Sequence, residues 1–550
     1  MKFKALKPRL YNVIFHTHTV AGIVISFALF ICFYAGAYAL FMEEMYRWEN
    51  PMARFETVED VDYDQILVAV EKAEPRFVPE EQFSLLPPEH TNPFVMFYGT
   101  LMTKDGKKER FSTYIHPETY EVTLSQEPKT HMARTIYELH FFHQIPIVGI
   151  YLAGLVAFFF LFAIISGILI HWKNIINKFY AFTVQGKWKQ IWTNGHTVLG
   201  MITLPFQLIY AVTGALLGLS ILLLAPSAFL LFNGDTTEII KAVRPDLGLE
   251  YDEDAAALND SYSFNAVYDY MRKNYPEHHV LNMFTTNYGK EDGTISVRID
   301  DRAGIAGDGV FVFQSKDGAI VSQSIPNQKS YTEGAYNVLI KLHYATYGGI
   351  FLKIIYFVLA MMTCFIITSG VMIWSTARDK PKYTDKQRRF HHRVTKVYLA
   401  LTLSLFPAVA LIFLANNLVP MEWEARVLYV NGSFFLGWLG LAIIGLFWNN
   451  YRQLNRNYLL IGGTLGILIP IFNGMITGDW LWGTWMAKEF FVFAVDLSWL
   501  LTGVSALAIR QYLKPENPEE KVSQSSPHKT TTAPLEAVNL TAFKQRKTST

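Results

Sequence analysis

Four histidines stand in two repeated phrases at the edges of apolar runs. His18 opens His-Thr-Val-Ala-Gly and His196 opens His-Thr-Val-Leu-Gly, with Gly36 and Gly214 following at equal distances. His140 and His343 each complete a Leu-His pair, and each precedes a Ser-Gly pair by the same interval, Ser166-Gly167 and Ser369-Gly370. Matched spacing of this kind marks two copies of one helical pair. Two neutral imidazoles on facing helices can supply both axial ligands of a b-type haem. Glycine beside the helix axis, here Gly22, Gly36, Gly200 and Gly214, leaves room for a flat macrocycle. Zinc asks for a third and usually a fourth protein ligand, and neither pair has an evident one nearby. The competing reading for any single residue is an interfacial imidazole beside Phe141, Phe142, Tyr344 or Tyr347. Recurrence at matched positions favours a pair of haem sites, His18 with His196 and His140 with His343, and so two haems b per chain.

Other histidines fit the repeat less well. His171 aligns with Trp374 and is expected to be a reserve ligand or a propionate partner near the first site. His16 aligns with Asn194 and His143 with Thr346, while His391 and His392 head a phrase without the following glycines. His278 and His279 read as a surface loop after Glu277. The two cysteines, Cys32 and Cys364, both fall inside apolar runs. That excludes a disulfide framework outside the membrane, CxxC redox chemistry and cysteine-ligated clusters.

The elements that must position these residues are membrane helices. Hydrophobic residues make up 51% of the chain and charged ones 17%, with 41 Phe, 29 Tyr and 12 Trp, too apolar for an ordinary soluble domain. A hydrocarbon core of roughly 30 Å needs about 20 apolar residues in a helix. Eight runs satisfy that length: Val20 to Phe41, Ile145 to Ile170, Val198 to Phe232, Ile350 to Trp374, Val397 to Val419, Val427 to Trp448, Leu459 to Thr477 and Phe490 to Ile509. The first is expected to be a retained helix rather than a cleaved signal, because its apolar part is long and its opening phrase recurs inside the chain.

Basic residues alternate with these runs. Lys2, Lys4, Lys7 and Arg9 precede the first; Lys173, Lys178, Lys187 and Lys189 follow the second; Arg378, Lys380, Lys382, Lys386, Arg388 and Arg389 follow the fourth; Arg452 and Arg456 follow the sixth. The positive-inside rule places those loops and both termini in the cytoplasm. His18 and His196 then mark an inner level and His140 and His343 an outer one.

The fold class expected is a mainly α-helical polytopic membrane protein with about eight transmembrane helices, a duplicated haem-binding four-helix core and two external α+β domains. Residues 1–41 hold the N-terminus and first helix, and 42–144 the first external domain. Residues 145–232 hold helices two and three, and 233–343 the second external domain. Residues 344–396 hold helix four and a basic loop, 397–510 helices five to eight, and 511–550 a polar, disordered tail. In each external segment a helix-like stretch ("EDVDYDQILVAVEKAEP", "SFNAVYDYMRKNYP") precedes strand-like ones ("NPFVMFYGTLM", "TISVRIDD", "GVFVFQSKDGAIVSQS"). Acidic residues prevail there, so nucleic acid is not an expected partner.

The His-led first and third helices, the Leu-His pairs, "SGILIHW" and "SGVMIW", and the external "YIHPETYEV" and "VFQSKDGAIV" resemble the PepSY-associated transmembrane proteins. That family includes iron-regulated inner-membrane proteins and ferric-siderophore reductases of Gram-negative bacteria. The resemblance covers about Leu10 to Lys380 and departs from the family at His171, where an aromatic residue is usual. It implies PepSY-like periplasmic domains, a bacterial inner-membrane location, and a haem-dependent ferric-siderophore reductase that carries electrons across the bilayer. A ferric siderophore or another ferric chelate is the implied acceptor, membrane lipid the surroundings, and quinol or a cytoplasmic reductase the donor. The chain has no GxGxxG after a strand and no P-loop, so a separate donor is needed.

Two other functions are open at this stage. A regulatory or peptide-binding membrane protein would use the external domains and leave the histidines structural. A transporter, of iron-siderophore type, would use the last four helices, whose Asp496 falls inside a predicted span. The topology is directly testable: reporter fusions after Asn50 and Ile240 should read periplasmic, and those after Lys178 and Asp385 cytoplasmic. One clear reversal overturns the side assigned to every histidine.

Overall fold

The computed structural model describes residues 7–123, 131–174, 188–231, 233–234, 251–252, 254–301 and 304–513, together with Arg244 and Leu249. Lys2, Lys4, Lys178, Lys187, Ile240 and the polar tail from residue 514 onward lie outside the described residues. In chain order the helices are α1 (Pro8–Ala39), α2 (Met42–Glu49), α3 (Tyr63–Ala73), α4 (Met132–His140), α5 (Val148–His171), α6 (Trp188–Ile202), α7 (Leu204–Leu231) and α8 (Phe264–Asn274). They continue as α9 (Tyr331–Tyr344), α10 (Gly349–Arg378), α11 (Asp385–Leu403), α12 (Leu405–Leu418), α13 (Arg426–Phe447), α14 (Tyr451–Thr477), α15 (Leu481–Met486) and α16 (Phe490–Tyr512). The strands are β1 (Ser84–Leu86), β2 (Val95–Met102), β3 (Lys108–Ile115), β4 (Val122–Thr123), β5 (His279–Thr286), β6 (Thr294–Asp300), β7 (Gly309–Gln314) and β8 (Ile320–Ser324).

Seven spans among the described residues are long and apolar enough to cross a membrane unaided: α1, α5, α10, α11 with α12, α13, α14 and α16. The eighth is α6 and α7 taken together, bent by 72°. The chain is a multi-pass membrane protein. The run expected as one span from Val198 is therefore broken, and its composition explains why. Pro205 lacks an N–H and its ring crowds the preceding turn. Thr203 and Gln207 cover the break: the Thr203 hydroxyl donates to the Leu199 carbonyl at 2.8 Å and accepts from the Gln207 amide at 2.6 Å.

Four spans form one bundle, in which α1 packs on α5 and α10, α5 on α7, and α6 on α10. Helices α5 and α7 meet at Gly154 and Gly218, where a Cβ on Gly218 would lie 2.5 Å from the Gly154 Cα. Only glycine allows that approach. The later helices make a second bundle, with α14 on α16 and on α12, and α13 on α11 and on α12. The short helix α2 joins the two, packing on α12, α16 and α4.

The long segments after α1 and α7 are not two separate domains. Their strands form one antiparallel sheet in the order β4-β3-β2-β1-β5-β6-β7-β8, joined where Ser84 pairs with Phe284 and Leu85 with Met283. Phe83, Leu85, Phe97, Met283, Val297 and Phe311 pack beneath α3 and α8 in one apolar core. The two helices also cap each other. Asp62 accepts from the Gln65 N–H at 3.0 Å and from Asn265 at 2.7 Å, while the Tyr63 N–H donates to Asn265 and the Phe264 N–H to Asp64, both at 2.7 Å. A helix N-terminus leaves N–H groups unpaired, and here each half supplies the other's acceptors.

Candidate functional site

The four repeated histidines meet in pairs, at two levels of the first bundle. His18 on α1 faces His196 on α6, with ring centres 6.2 Å apart, and His140 at the end of α4 faces His343 on α9 at 6.0 Å. The second pair lies toward the sheet, the first away from it.

Their settings differ from the sequence expectation. Helix α1 starts at Pro8 and α6 at Trp188, so His18 and His196 sit inside helices rather than at their heads. His140 and His343 do not begin the following spans; they end short helices of their own. Each is followed by a residue in the left-handed region, Phe142 (φ 56°) and Ala345 (φ 52°), which turns the chain into α5 and α10. Non-glycine residues adopt that conformation at a cost, and it occurs at matched places in both copies.

Every paired imidazole is held through Nδ1. His18 Nδ1–H donates to the Ala163 carbonyl at 2.9 Å and the Ser166 hydroxyl at 3.1 Å; His196 Nδ1–H donates to the Ile366 carbonyl at 2.9 Å and the Ser369 hydroxyl at 3.1 Å. His140 donates to the Cys32 carbonyl at 2.6 Å. His343 donates to the Thr213 hydroxyl at 2.9 Å, whose own proton goes to the Ile209 carbonyl at 2.7 Å. Carbonyls only accept, so Nδ1 of His18, His140 and His196 carries the proton and each neutral ring keeps its lone pair on Nε2; His343 takes the same tautomer while the Thr213 proton stays on Ile209. Each pair thus presents two nitrogen donors of fixed tautomer.

This explains the Ser-Gly pairs, which the sequence showed without a role. The serine accepts from the histidine, and the glycine lets the ring lie against the helix. A Cβ on Gly167 would stand 3.2 Å from His18 Cε1, and one on Gly370 3.3 Å from His196 Cε1. Gly36 does the same for His140, where a Cβ would approach Nδ1 to 2.6 Å. Gly214 meets Ala157 at 3.2 Å and the His343 ring at 3.9 Å, whereas Gly22 and Gly200 face nothing within 4 Å. Of the four glycines expected to make room for a macrocycle, Gly36 instead makes room for an imidazole and Gly214 for Ala157. Thr213 was not picked out from the sequence, because its counterpart in the first copy is Ala35 and breaks the repeat.

A mostly apolar cavity adjoins the His140–His343 pair, lined by Leu29, Phe33, Val156, Ala157 and Phe160 and bordered by Tyr137 and Tyr344. His171 closes α5 and lies within electrostatic reach of His196, outside the pair itself. His391 stacks edge-on against Trp374 at 5.0 Å, His392 shares a 3.0 Å hydrogen bond with the Tyr451 hydroxyl, and His143 lies against Phe141 at 5.5 Å; none joins a pair. His16 is exposed, and His279, expected in a loop, begins β5. Among the described residues no group of three or more His, Cys, Asp or Glu could hold a bare metal ion.

Asp496, the carboxylate suspected inside a span, is fully buried and satisfied. It accepts from Trp48 Nε1 at 2.8 Å and from Asn473 at 2.7 Å. Around it Arg47 grips Glu489 through two bonds of 2.7 and 2.8 Å, and Arg54 pairs with Asp479. Burial pushes the nearby Glu49 carboxyl up to about 7, against the opposing pull of the Ala133 N–H. These groups fasten α2 to the second bundle.

The family described as the PepSY-associated TM region matches residues 15–377. The chain belongs to this family. A search of the curated proteins found no match. The PepSY-associated region contains all four paired histidines and both halves of the sheet, and it ends before α11, so the second bundle lies beyond it.

The glycine contacts predict opposite outcomes for two similar changes. Gly36→Ala must displace His140 and should lower the thermal midpoint of the detergent-solubilised protein. Gly22→Ala should leave it unchanged or raise it, since Ala is favoured over Gly in helices by about 1 kcal/mol. Differential scanning fluorimetry of the two variants checks this; equal midpoints would contradict the placement of the His140 ring.

Proposed function

We propose that this PepSY-associated protein is a two-haem electron carrier of the bacterial inner membrane that reduces a ferric siderophore or related ferric chelate on the periplasmic side. The observation that carries the reading is the pair of facing imidazoles at each of two levels, three bonded through Nδ1 to a backbone carbonyl and His343 to the Thr213 hydroxyl. His18 with His196, and His140 with His343, would hold the group as two imidazole donors whose ring centres stand 6.2 and 6.0 Å apart. The mostly apolar cavity beside the second pair suits a macrocycle. When bound, a haem b supplies reversible one-electron chemistry at its iron.

The chain's own residues do the rest. His18 and His196 would hold the inner group and His140 and His343 the outer one. The acceptors on Nδ1 fix ring orientation and raise nitrogen basicity. With two imidazoles committed to each group, neither site would bind oxygen or substrate, which would leave electron transfer as the task. The apolar side chains that line the cavity beside the second pair disfavour water there. Helix α1 runs from His18 to the Cys32 and Gly36 contacts of His140, so one rigid element sets the distance between them. The basic stretch after α10 supports a cytoplasmic assignment for the His18 level, with quinol or a cytoplasmic reductase as donor. A ferric chelate fits as acceptor because reduction to Fe(II) weakens its hold by hard oxygen ligands.

The purified protein should show the visible spectrum of low-spin haem at two per chain. His140→Ala or His343→Ala should remove one haem and spare the other, and His18→Ala or His196→Ala the converse. Retention of two haems in folded His343→Ala protein would refute the outer pair. In a second measurement, anaerobically reduced protein mixed with a ferric siderophore should be reoxidised as Fe(II) appears in a ferrozine trap. If no ferric chelate reoxidises it, the reductase reading fails.

A further inference from the structure

The function proposed above gives helices α11 to α16 no task, yet they pack on the helix that carries His140, α4, as well as on α1 and α10. Helix α4 has 9 residues and ends in His140. A helix so short does not hold itself in place and depends on what it packs against. Its buried Thr135 donates to Asn431 on α13 at 2.8 Å. Its first turn is anchored by Glu49, whose carboxylate accepts from the Ala133 N–H at 2.9 Å, a favourable place for negative charge. Glu49 is tied onward: its carbonyl accepts from Asn416 on α12 at 3.1 Å, and Arg426 on α13 donates to the Asn416 carbonyl at 2.6 Å and side chain at 2.9 Å. Both routes end in the second bundle.

His343 is held differently. Lys341, two positions earlier on α9, pairs with Asp300 of β6 at 2.6 Å and donates to the Gly304 carbonyl at 2.7 Å. The ammonium and the carboxylate are both buried, and a buried pair of this kind is costly to break from one side. Both rings are held on the first bundle, through Cys32 of α1 and Thr213 of α7, and their helices are fastened further to different bodies, α4 to the second bundle and α9 to the sheet.

We infer that the second bundle is a positioning frame for His140, with Asn431 and the Arg426–Asn416–Glu49 chain setting where that imidazole stands against His343. The inference rests on the two-haem reading for its meaning, although the frame itself is a property of the protein alone. Thr135 and Asn431 touch no cofactor in this scheme; they are positioning residues. Asn431→Leu and Thr135→Val each remove the bond with little change in volume, and Thr135→Ser keeps the hydroxyl.

In the full chain, hydrogen exchange at the α4 amides from Thr135 to Leu139 should quicken about tenfold in Asn431→Leu and Thr135→Val, with the α9 amides unchanged. In the haem-loaded protein the midpoint potential and low-spin resonance of one haem should shift while the other holds. Thr135→Ser should return both readouts to wild type. Exchange and potentials identical to wild type in both disruptive variants overturn the frame. If the wild-type protein carries no haem, the function proposed above falls, and the exchange measurement still decides whether the frame exists.

Discussion

An imidazole N–H inside an apolar bundle must find an acceptor, and most of the first bundle is arranged to provide one. A buried donor left unpaired costs more than a made bond returns, so the partner has to be present in every state of the protein. Helix carbonyls are ordinarily spoken for by their own helix. Here the Ala163, Ile366 and Cys32 carbonyls take a second hydrogen from a histidine on a neighbouring helix or on α4, as a carbonyl with two lone pairs can. The glycines at Gly36, Gly167 and Gly370 follow from that demand, since a ring can reach a neighbouring backbone only where no Cβ intervenes.

The two copies satisfy the demand unequally. On the side away from the sheet the same carbonyl-plus-serine arrangement serves both histidines. On the sheet side a backbone carbonyl serves His140, while a threonine hydroxyl serves His343. A carbonyl is fixed by the helix it belongs to, whereas the Thr213 hydroxyl is oriented by its own bond to Ile209. The duplicated ancestor's symmetry survives in the ring spacing and has been lost in the support.

Much of this was legible in the residues. Repeated phrases at matched offsets paired the histidines whose rings the structure brings together, because duplication preserves spacing as well as residue type. Helix ends were not legible from hydropathy, which marks where lipid begins and not where a helix stops; "PRLYNVIFHT" is polar enough to leave the apolar run yet remains helical from Pro8. Pro205 was visible, but the apolar run continues through it and masked the bend. The strands of each half were readable as alternating stretches, except β1, which is three residues long, and β5, which opens on a histidine. Those two are the strands that join the halves, so one sheet read as two domains. The clustering of Asp496, Trp48 and Asn473 joins positions far apart in the chain, and no local pattern announces it.

The seam between β1 and β5 also orders the protein's manufacture. When the first half of the sheet has been synthesised, β1 is an open edge with unpaired backbone groups, and such edges recruit other chains. Its partner does not yet exist; α5, α6 and α7 must first be made and placed in the bilayer before β5 emerges. Brevity limits the hazard, since three residues offer little to a stray strand. The sheet thus closes only once β5 has been made, about midway along the chain, and its closing requires the spans between its halves to have returned the chain to the same side of the bilayer.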